Sequence, residues 1–169
     1  MGIIKKKSVS ENIWDFSFGL LGESGIGKTT TMVNICETIV GEDGYAILNT
    51  GKEQGVDCLE GVAYVDIPTY KHFDAAVKEF VKNKKTEYPN LKILVIDTLD
   101  QLIEITEPES VRLWNIENKG KKDFIDSKTL NSSWGGFGRG EDKVIQIILD
   151  KAWELKKVGI TCWFTMHTK

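Results

Sequence analysis

A glycine-rich octapeptide near the start of the chain separates an apolar segment from an amphipathic one. The preceding residues 16–21 predict a short buried strand, and the apolar spacing over 29–40 predicts a helix that stops at Gly41. A strand, a glycine-rich turn and a helix in this order favour phosphate binding, because glycines let backbone N–H groups converge on phosphate oxygens. The residues of the loop and its exit are Gly22, Glu23, Ser24, Gly25, Ile26, Gly27, Lys28, Thr29 and Thr30.

The residues at the exit of this loop have the chemistry of a Walker A motif. We expect the Lys28 ammonium to reach the β- and γ-phosphates of a nucleotide, and the Thr29 hydroxyl to bind Mg²⁺. The positive end of the following helix dipole acts on the same anion. The sequence therefore predicts nucleotide binding by residues 22–30.

Length and composition restrict the class of protein. The chain has 169 residues, of which 41% are hydrophobic and 28% charged, as expected for a single globular domain over residues 1–169. The order of charges near the N-terminus is wrong for a signal peptide, and the apolar runs are too short for a membrane span. We therefore expect a cytoplasmic protein without membrane contact.

The net charge and the cysteine content give little evidence about function. The net charge of −3 gives no global basic signature, so it argues neither for nucleic acid as a partner nor against a local basic patch. Cys36, Cys58 and Cys162 are far apart in apolar surroundings and lack zinc-site spacing. We expect reduced, buried thiols.

The rest of the chain alternates predicted strands and helices. Residues 45–49, 62–67 and 91–96 predict strands, and a helix is predicted from a cap at Thr69 to about Lys85. The last strand is rich in β-branched residues, which is typical of a central parallel strand. This alternation predicts an α/β fold, with a mostly parallel central sheet flanked by helices.

Asp97 directly follows the third of these runs. A carboxylate at the carboxyl end of a buried parallel strand faces the crevice where a nucleotide and Mg²⁺ bind. Because a Walker A pattern precedes it, we interpret Asp97 as a Walker B aspartate that binds Mg²⁺ directly or through water. Thr98 and Asp100 either orient the metal shell or cap the helix that begins near Leu99, and capping is favoured.

Residues 107–140 are the least regular part of the sequence, with room for a short helix over 109–118. A loop of this length in a compact domain is usually functional or mobile. Within the run 134–140, glycines alternate with Trp134, Phe137 and Arg139, which suit base stacking and phosphate contacts with single-stranded DNA. The alternative is a surface loop whose aromatic rings pack onto the core.

The C-terminal part predicts a long helix over 141–158 and a buried strand over 160–166 that ends at His167. A polar residue at the tip of such a strand can lie opposite the γ-phosphate and report its hydrolysis. An isolated histidine at that position would otherwise be a surface residue. We favour His167 as a γ-phosphate sensor.

Together these elements resemble the phage-encoded RecA-like nucleotide-binding ATPases, a family that includes single-strand-annealing recombination proteins with a minimal RecA core. The resemblance covers roughly residues 14–169 and rests on the segments 22–30, 93–98, 134–140 and 164–169. It implies a P-loop NTPase fold with a RecA-like core. It also implies ATP and Mg²⁺ as cofactors, with the site residues named above.

The resemblance leaves the catalytic base open. Members usually carry a glutamate just beyond the second strand, where it polarises the attacking water. Glu53 is the nearest candidate here, although it falls a few residues late, and Glu23 in the Walker A loop is the alternative.

The resemblance also implies a homo-oligomer, as a ring or filament with ATP between subunits. Arg139, Arg112 or Lys169 would then supply the positive group that completes a neighbouring site. Such cores normally continue with further strands, so the sequence is also compatible with a fragment.

The sequence and this resemblance are consistent with two alternative functions of different classes. The first is a DNA-dependent ATPase that pairs or anneals single strands during phage recombination, with DNA bound by the 107–140 segment. The second is a nucleotide-gated protein-interaction module with little turnover. A P-loop kinase is a distant third, because no arginine-rich lid is evident.

Overall fold

Five parallel strands form the centre of the part of the chain that the structure describes. The computed structural model describes residues 11–51, 56, 59–121, 124–136 and 138–168. The strands are β1 (Gly19–Gly22), β2 (Tyr45–Asn49), β3 (Tyr64–Asp66), β4 (Ile93–Asp97) and β5 (Thr161–His167). They lie in the order β1-β5-β4-β2-β3, and each pair of neighbours is parallel. This arrangement confirms the predicted α/β sheet.

In the described ranges four α-helices flank this sheet. They are α1 (Lys28–Val40), α2 (Tyr70–Asn83), α3 (Leu99–Asn118) and α4 (Arg139–Lys157). Short 3₁₀ turns occupy Ile13–Asp15, Glu42–Gly44 and Leu130–Ser132. Helices on both faces explain why all five residues of β4 are buried, since a parallel strand covered on both sides needs apolar residues throughout.

The core is divided between the two faces of the sheet. On one face, α1 packs Met32, Val33 and Cys36 against Trp163 and Val95. The other face carries the apolar residues of α2, α3 and α4, including Phe73, Val77, Leu102, Val144 and Ile148. Alternate residues of the central strands point to opposite cores, as the two-residue period of a strand requires.

The irregular segment is shorter than the predicted range 107–140. Helix α3 continues to Asn118 with Pro108 inside it, and Arg139 and Gly140 already belong to α4. Proline removes one helical N–H donor and normally ends or kinks a helix. Here Leu102, Thr106 and Ser110 of the same helix are buried, and this tertiary packing outweighs the local cost.

Trp134 packs against α3 and α4. Its Nε1–H donates to the Ser110 carbonyl and hydroxyl oxygens at 3.2 and 3.1 Å. Its ring lies 5.4 Å from that of Trp114, and the Lys143 Nζ lies 4.9 Å from its centroid. The Ser110 hydroxyl in turn donates to the Gly140 carbonyl. For Trp134 the structure therefore matches the alternative in which aromatic rings pack onto the core; Phe137 lies outside the described residues.

Two of the three cysteines behave as predicted. Cys36 and Cys162 are free and buried, and burial raises the pKa of each thiol to about 12. At neutral pH both thiols are therefore protonated and poorly nucleophilic. Cys58 lies outside the described residues.

None of the described helices combines the length and the apolarity that crossing a bilayer requires.

Candidate functional site

The ends of the five strands bring the candidate site together. Parallel strands share one carboxyl edge, where Gly22, Asn49, Asp97 and His167 are the last residues of their strands. In the sheet register Gly22 is opposite His167, and Asn49 is opposite Asp97. Because β5 lies between β1 and β4, the strand that ends at His167 lies between the strands that end at Gly22 and Asp97.

The glycine-rich loop has the backbone conformation that its sequence predicts. Gly25 and Gly27 have φ angles of 78° and 87°, which non-glycine residues rarely adopt. Gly27 is the N-cap residue of α1, and Lys28 begins that helix. A Cβ at Gly22 would lie 2.4 Å from Cδ1 of Ile26, so a side chain at this position would displace the exposed Ile26 side chain.

The Lys28 side chain folds back over the loop. Its Nζ donates to the carbonyl oxygens of Gly22 at 3.2 Å and Glu23 at 2.8 Å, and the residue is only 8% exposed. A buried ammonium group needs such partners because desolvation of an unpaired charge is costly. Lys28 therefore holds its positive charge inside the loop.

Thr29 and Asp97 meet although 68 residues separate them in sequence. The Thr29 hydroxyl donates to Asp97 Oδ2 at 2.8 Å. Both groups are hard oxygen donors, the type that Mg²⁺ prefers. Within the described parts of the chain no group of three or more His, Cys, Asp or Glu side chains is placed to hold a metal ion. A cation at this pair would therefore need further ligands, such as phosphate oxygens and water.

Two buried threonines hold Asp97 in place, and the sequence analysis missed both. The Thr165 hydroxyl on β5 donates to Asp97 Oδ1. The hydroxyl and backbone N–H of Thr50 both donate to the Asp97 carbonyl oxygen at 2.9 Å. The available signal was a polar residue inside an otherwise apolar strand, as Thr165 is between Phe164 and Met166.

Replacing Thr165 by valine should lower the free energy of unfolding by about 1–3 kcal/mol, because a buried carboxylate oxygen loses its donor. The measurement is urea denaturation of the purified variant. Thr106→Val is the matched control, since its buried hydroxyl donates to a neutral carbonyl, that of Leu102. Equal losses in the two variants would contradict a special role for the bond to Asp97.

His167 lies beside the start of the loop and is held by Asp100. The His167 backbone N–H donates to Asp100 Oδ2 at 2.8 Å, and its ring Nδ1 lies 3.4 Å from the same oxygen. The next residue, Thr168, donates its N–H to the Gly22 carbonyl at 3.3 Å. Sequence reasoning did not foresee this carboxylate, which connects the first turn of α3 to the tip of β5.

Thr98 is the N-cap residue of α3. Its hydroxyl accepts the Gln101 N–H at 3.4 Å, which confirms the capping interpretation for Thr98. For Asp100 the described contact is to His167 rather than to a cap position.

The remaining residues are the candidates for the catalytic base and for the positive group that a neighbouring subunit would supply. Glu53 and Lys169 lie outside the described residues, and Glu23 is exposed. The Arg112 guanidinium makes two hydrogen bonds of 2.6 Å with the Glu109 carboxylate, and this pairing raises the pKa of Arg112. Arg139 is exposed at the start of α4.

Comparison with known families agrees with this geometry. A family model described as an AAA domain (AAA_24) matches residues 15–169. The chain belongs to the AAA domain family. This family consists of P-loop ATPases, so the protein carries a nucleotide-binding ATPase domain. A search of curated proteins found no match. Membership of the narrower phage RecA-like group stays a prediction.

Proposed function

We propose that this AAA domain binds ATP with Mg²⁺ and hydrolyses it at the carboxyl edge of the sheet. The contact between Thr29 and Asp97, directly beside Lys28, is the observation that carries the proposal. It brings together a hydroxyl at a helix N-terminus and a carboxylate at a strand end, 68 residues apart in the sequence. This is the donor pair that P-loop ATPases place around the metal.

The residues of the site fit a magnesium nucleotide. Mg²⁺ usually binds proteins through one or two side-chain oxygens and completes its shell with water and phosphate oxygens. Thr29 and Asp97 would hold the ion, which neutralises charge on the phosphates when bound. The backbone N–H groups of residues 22–30 and the N-terminus of α1 would hold the phosphates.

In this proposal the Lys28 ammonium binds the phosphates of the nucleotide. Its Nζ donates to two loop carbonyls in the structure and can exchange those partners for phosphate oxygens by rotation of its side chain. The exchange replaces neutral acceptors with charged ones, which form stronger hydrogen bonds. Lys28 would therefore bind more strongly as negative charge develops in the transition state.

His167 remains our candidate for the γ-phosphate sensor. The support is its position opposite Gly22 at the end of β5 and its attachment to Asp100 on α3. A sensor in this place would transmit the state of the nucleotide to α3 through the Asp100 carboxylate. That transmission requires two arrangements of the His167–Asp100 contact.

The catalytic base is tested by Glu53→Gln. If Glu53 polarises the attacking water, we expect hydrolysis to fall by about 10²–10⁴-fold while ATP binding is retained, because general-base catalysis contributes that factor. Turnover is measured by phosphate release and binding by calorimetry. Glu23→Gln is the comparison variant, since Glu23 is the alternative base, and unchanged turnover in Glu53→Gln would reject Glu53.

Single-stranded DNA is our proposed effector, in recombination or annealing. Its support is the resemblance to phage RecA-like ATPases, together with the basic residues Lys121, Lys128 and Arg139 at or near the segment between α3 and α4. Because Trp134 packs against Trp114, we assign DNA contact to these basic residues rather than to stacking on Trp134. In a ring or filament, Arg139, Arg112 or Lys169 of a neighbouring subunit would complete the site.

The deciding experiment measures ATP hydrolysis with Mg²⁺, with and without single-stranded DNA, at low and high salt. Stimulation that disappears as salt rises supports the DNA-dependent ATPase. Nucleotide binding without turnover, and without an effect of DNA, would support the nucleotide-gated interaction module instead. No magnesium-supported nucleotide binding at all would overturn both.

A further inference from the structure

Helix α4 exposes a row of large apolar side chains. Ile145, Leu149 and Trp153 are 41%, 51% and 63% exposed. They recur every four residues and therefore lie on one side of the helix. The opposite side is buried, where Val144, Ile148 and Leu155 enter the core. An apolar row on a surface helix that is already anchored by its other face is typical of an interaction site.

The order of residues along this row fits a second copy of the same helix. In an antiparallel pair with a two-fold axis at Leu149, Leu149 meets its own counterpart. Ile145 of each copy then lies opposite Trp153 of the other, because both are four residues from the axis. This is the self-complementary contact that a two-fold dimer requires.

The charges at the two ends of α4 are also complementary between antiparallel copies of the helix. Glu141 and Asp142 are in its first turn, and Lys156 and Lys157 are in its last turn. The same axis places Glu141 opposite Lys157 of the second copy, whereas the Lys156 ammonium already donates to the Asp15 carbonyl and the Thr161 hydroxyl of its own chain. A parallel pair would instead bring like charges together, so the charge pattern selects the antiparallel arrangement.

A cavity beside the row gives the second copy a place to insert. It has a volume of about 240 Å³ and is lined by Ser17, by Leu149, Ala152, Trp153 and Lys156 of α4, and by Thr161 and Cys162 of β5. Under the two-fold axis, Ile145 of the second copy faces this cavity. A branched aliphatic side chain suits the apolar part of its lining.

We propose that α4 is the interface of a two-fold homodimer. The contact is distinct from the nucleotide site, because none of its residues on α4 belongs to the glycine-rich loop 22–30 or to the Thr29–Asp97 pair. It also differs from a head-to-tail ring or filament, since a two-fold contact closes with two copies. The proposal goes beyond ATP hydrolysis and does not depend on it.

The charge match is tested by sedimentation velocity over a concentration series. We expect the wild-type protein to form a dimer, and Glu141→Lys or Lys157→Glu alone to weaken it by roughly 10-fold, since each change affects two symmetric ion pairs. The double variant restores both pairs and should return to within about 3-fold of wild type. Additive losses in the double variant would overturn the antiparallel arrangement.

The apolar contact is tested by Leu149→Asp, which places two carboxylates at the axis. We expect dimer affinity to fall by at least about 100-fold, because like charges are desolvated together. Asp150→Ala is the control on the same helix, as Asp150 is exposed but rotated about 100° from Leu149. A monomer at all concentrations of wild type, or larger species unaffected by Leu149→Asp, would overturn the proposal.

Cysteine cross-linking locates the axis. Under mild oxidation Leu149→Cys should give a disulfide-linked dimer, whereas Asp150→Cys should give little, because a disulfide needs Cα atoms within about 7 Å. Cys36 and Cys162 are buried, and Cys58→Ser removes the third thiol from both variants. Equal cross-linking at the two positions would contradict a two-fold axis at Leu149.

Discussion

Lys28→Ala should reduce Mg²⁺-dependent ATP hydrolysis by roughly 10²–10³-fold, the effect of removing one preorganised group that stabilises transition-state charge. The lost ammonium is the cation that the structure holds within the glycine-rich loop. Alanine leaves the phosphates without this partner, and we expect ATP affinity to fall as well. The measurements are steady-state phosphate release and calorimetric binding of ATP with Mg²⁺.

The chain offers a closely matched control in Lys84. Lys84 is also buried, and its Nζ donates to two backbone carbonyls, those of Tyr88 and Pro89. Burial lowers the pKa of Lys84, but the residue follows α2 and is remote from the nucleotide loop in sequence. Lys84→Ala should therefore cost stability without affecting turnover per folded molecule. Equal loss of hydrolysis in the two variants would mean that Lys28 acts only through folding.

Asp97→Asn should reduce hydrolysis by about 10²–10³-fold and raise the Mg²⁺ concentration needed for half-maximal rate, since an amide oxygen is a weaker ligand than a carboxylate. Asparagine nearly preserves the shape of the side chain. Its amide oxygen can still accept a hydrogen bond from either Thr29 or Thr165, the two donors of the wild-type contact. The measurement is a Mg²⁺ titration of the rate at fixed ATP.

Asp100→Asn is the companion variant for this experiment. Asp100 is three residues from Asp97 at the same edge of the sheet, but it accepts the His167 N–H. We expect a smaller loss of rate and an unchanged Mg²⁺ requirement. If both variants shifted the Mg²⁺ requirement equally, Asp97 would not be the metal-binding carboxylate of the site.

Local sequence patterns predicted much of the fold because several elements are specified by neighbouring residues. The strand 45–49 and the helix after the glycine-rich loop have the predicted bounds to within one residue. The end of α2 and the start of α4 differ by only about two residues. A continuous apolar run and a helical spacing are visible in any short window.

Local reasoning failed where packing between distant segments outweighed it. Residues 107–140 were predicted to be irregular, with a short helix over 109–118, yet α3 continues through Pro108 because Leu102, Thr106 and Ser110 are buried along the helix. Trp134 resembled an exposed stacking residue, yet Ser110 and Trp114 hold it against α3. In both cases the deciding contacts are made by residues that no short window contains.

The amino-acid pattern alone was enough to specify the glycine-rich loop at 22–30, the acidic strand end at Asp97 and the α/β class, since each depends on consecutive residues. It did not specify that β5 lies between β1 and β4, which places His167 beside Gly22 and Thr165 beside Asp97. Strand order depends on how all helices cover both faces of the sheet, and hydrogen bonds between segments 68 residues apart exist only once that packing is complete.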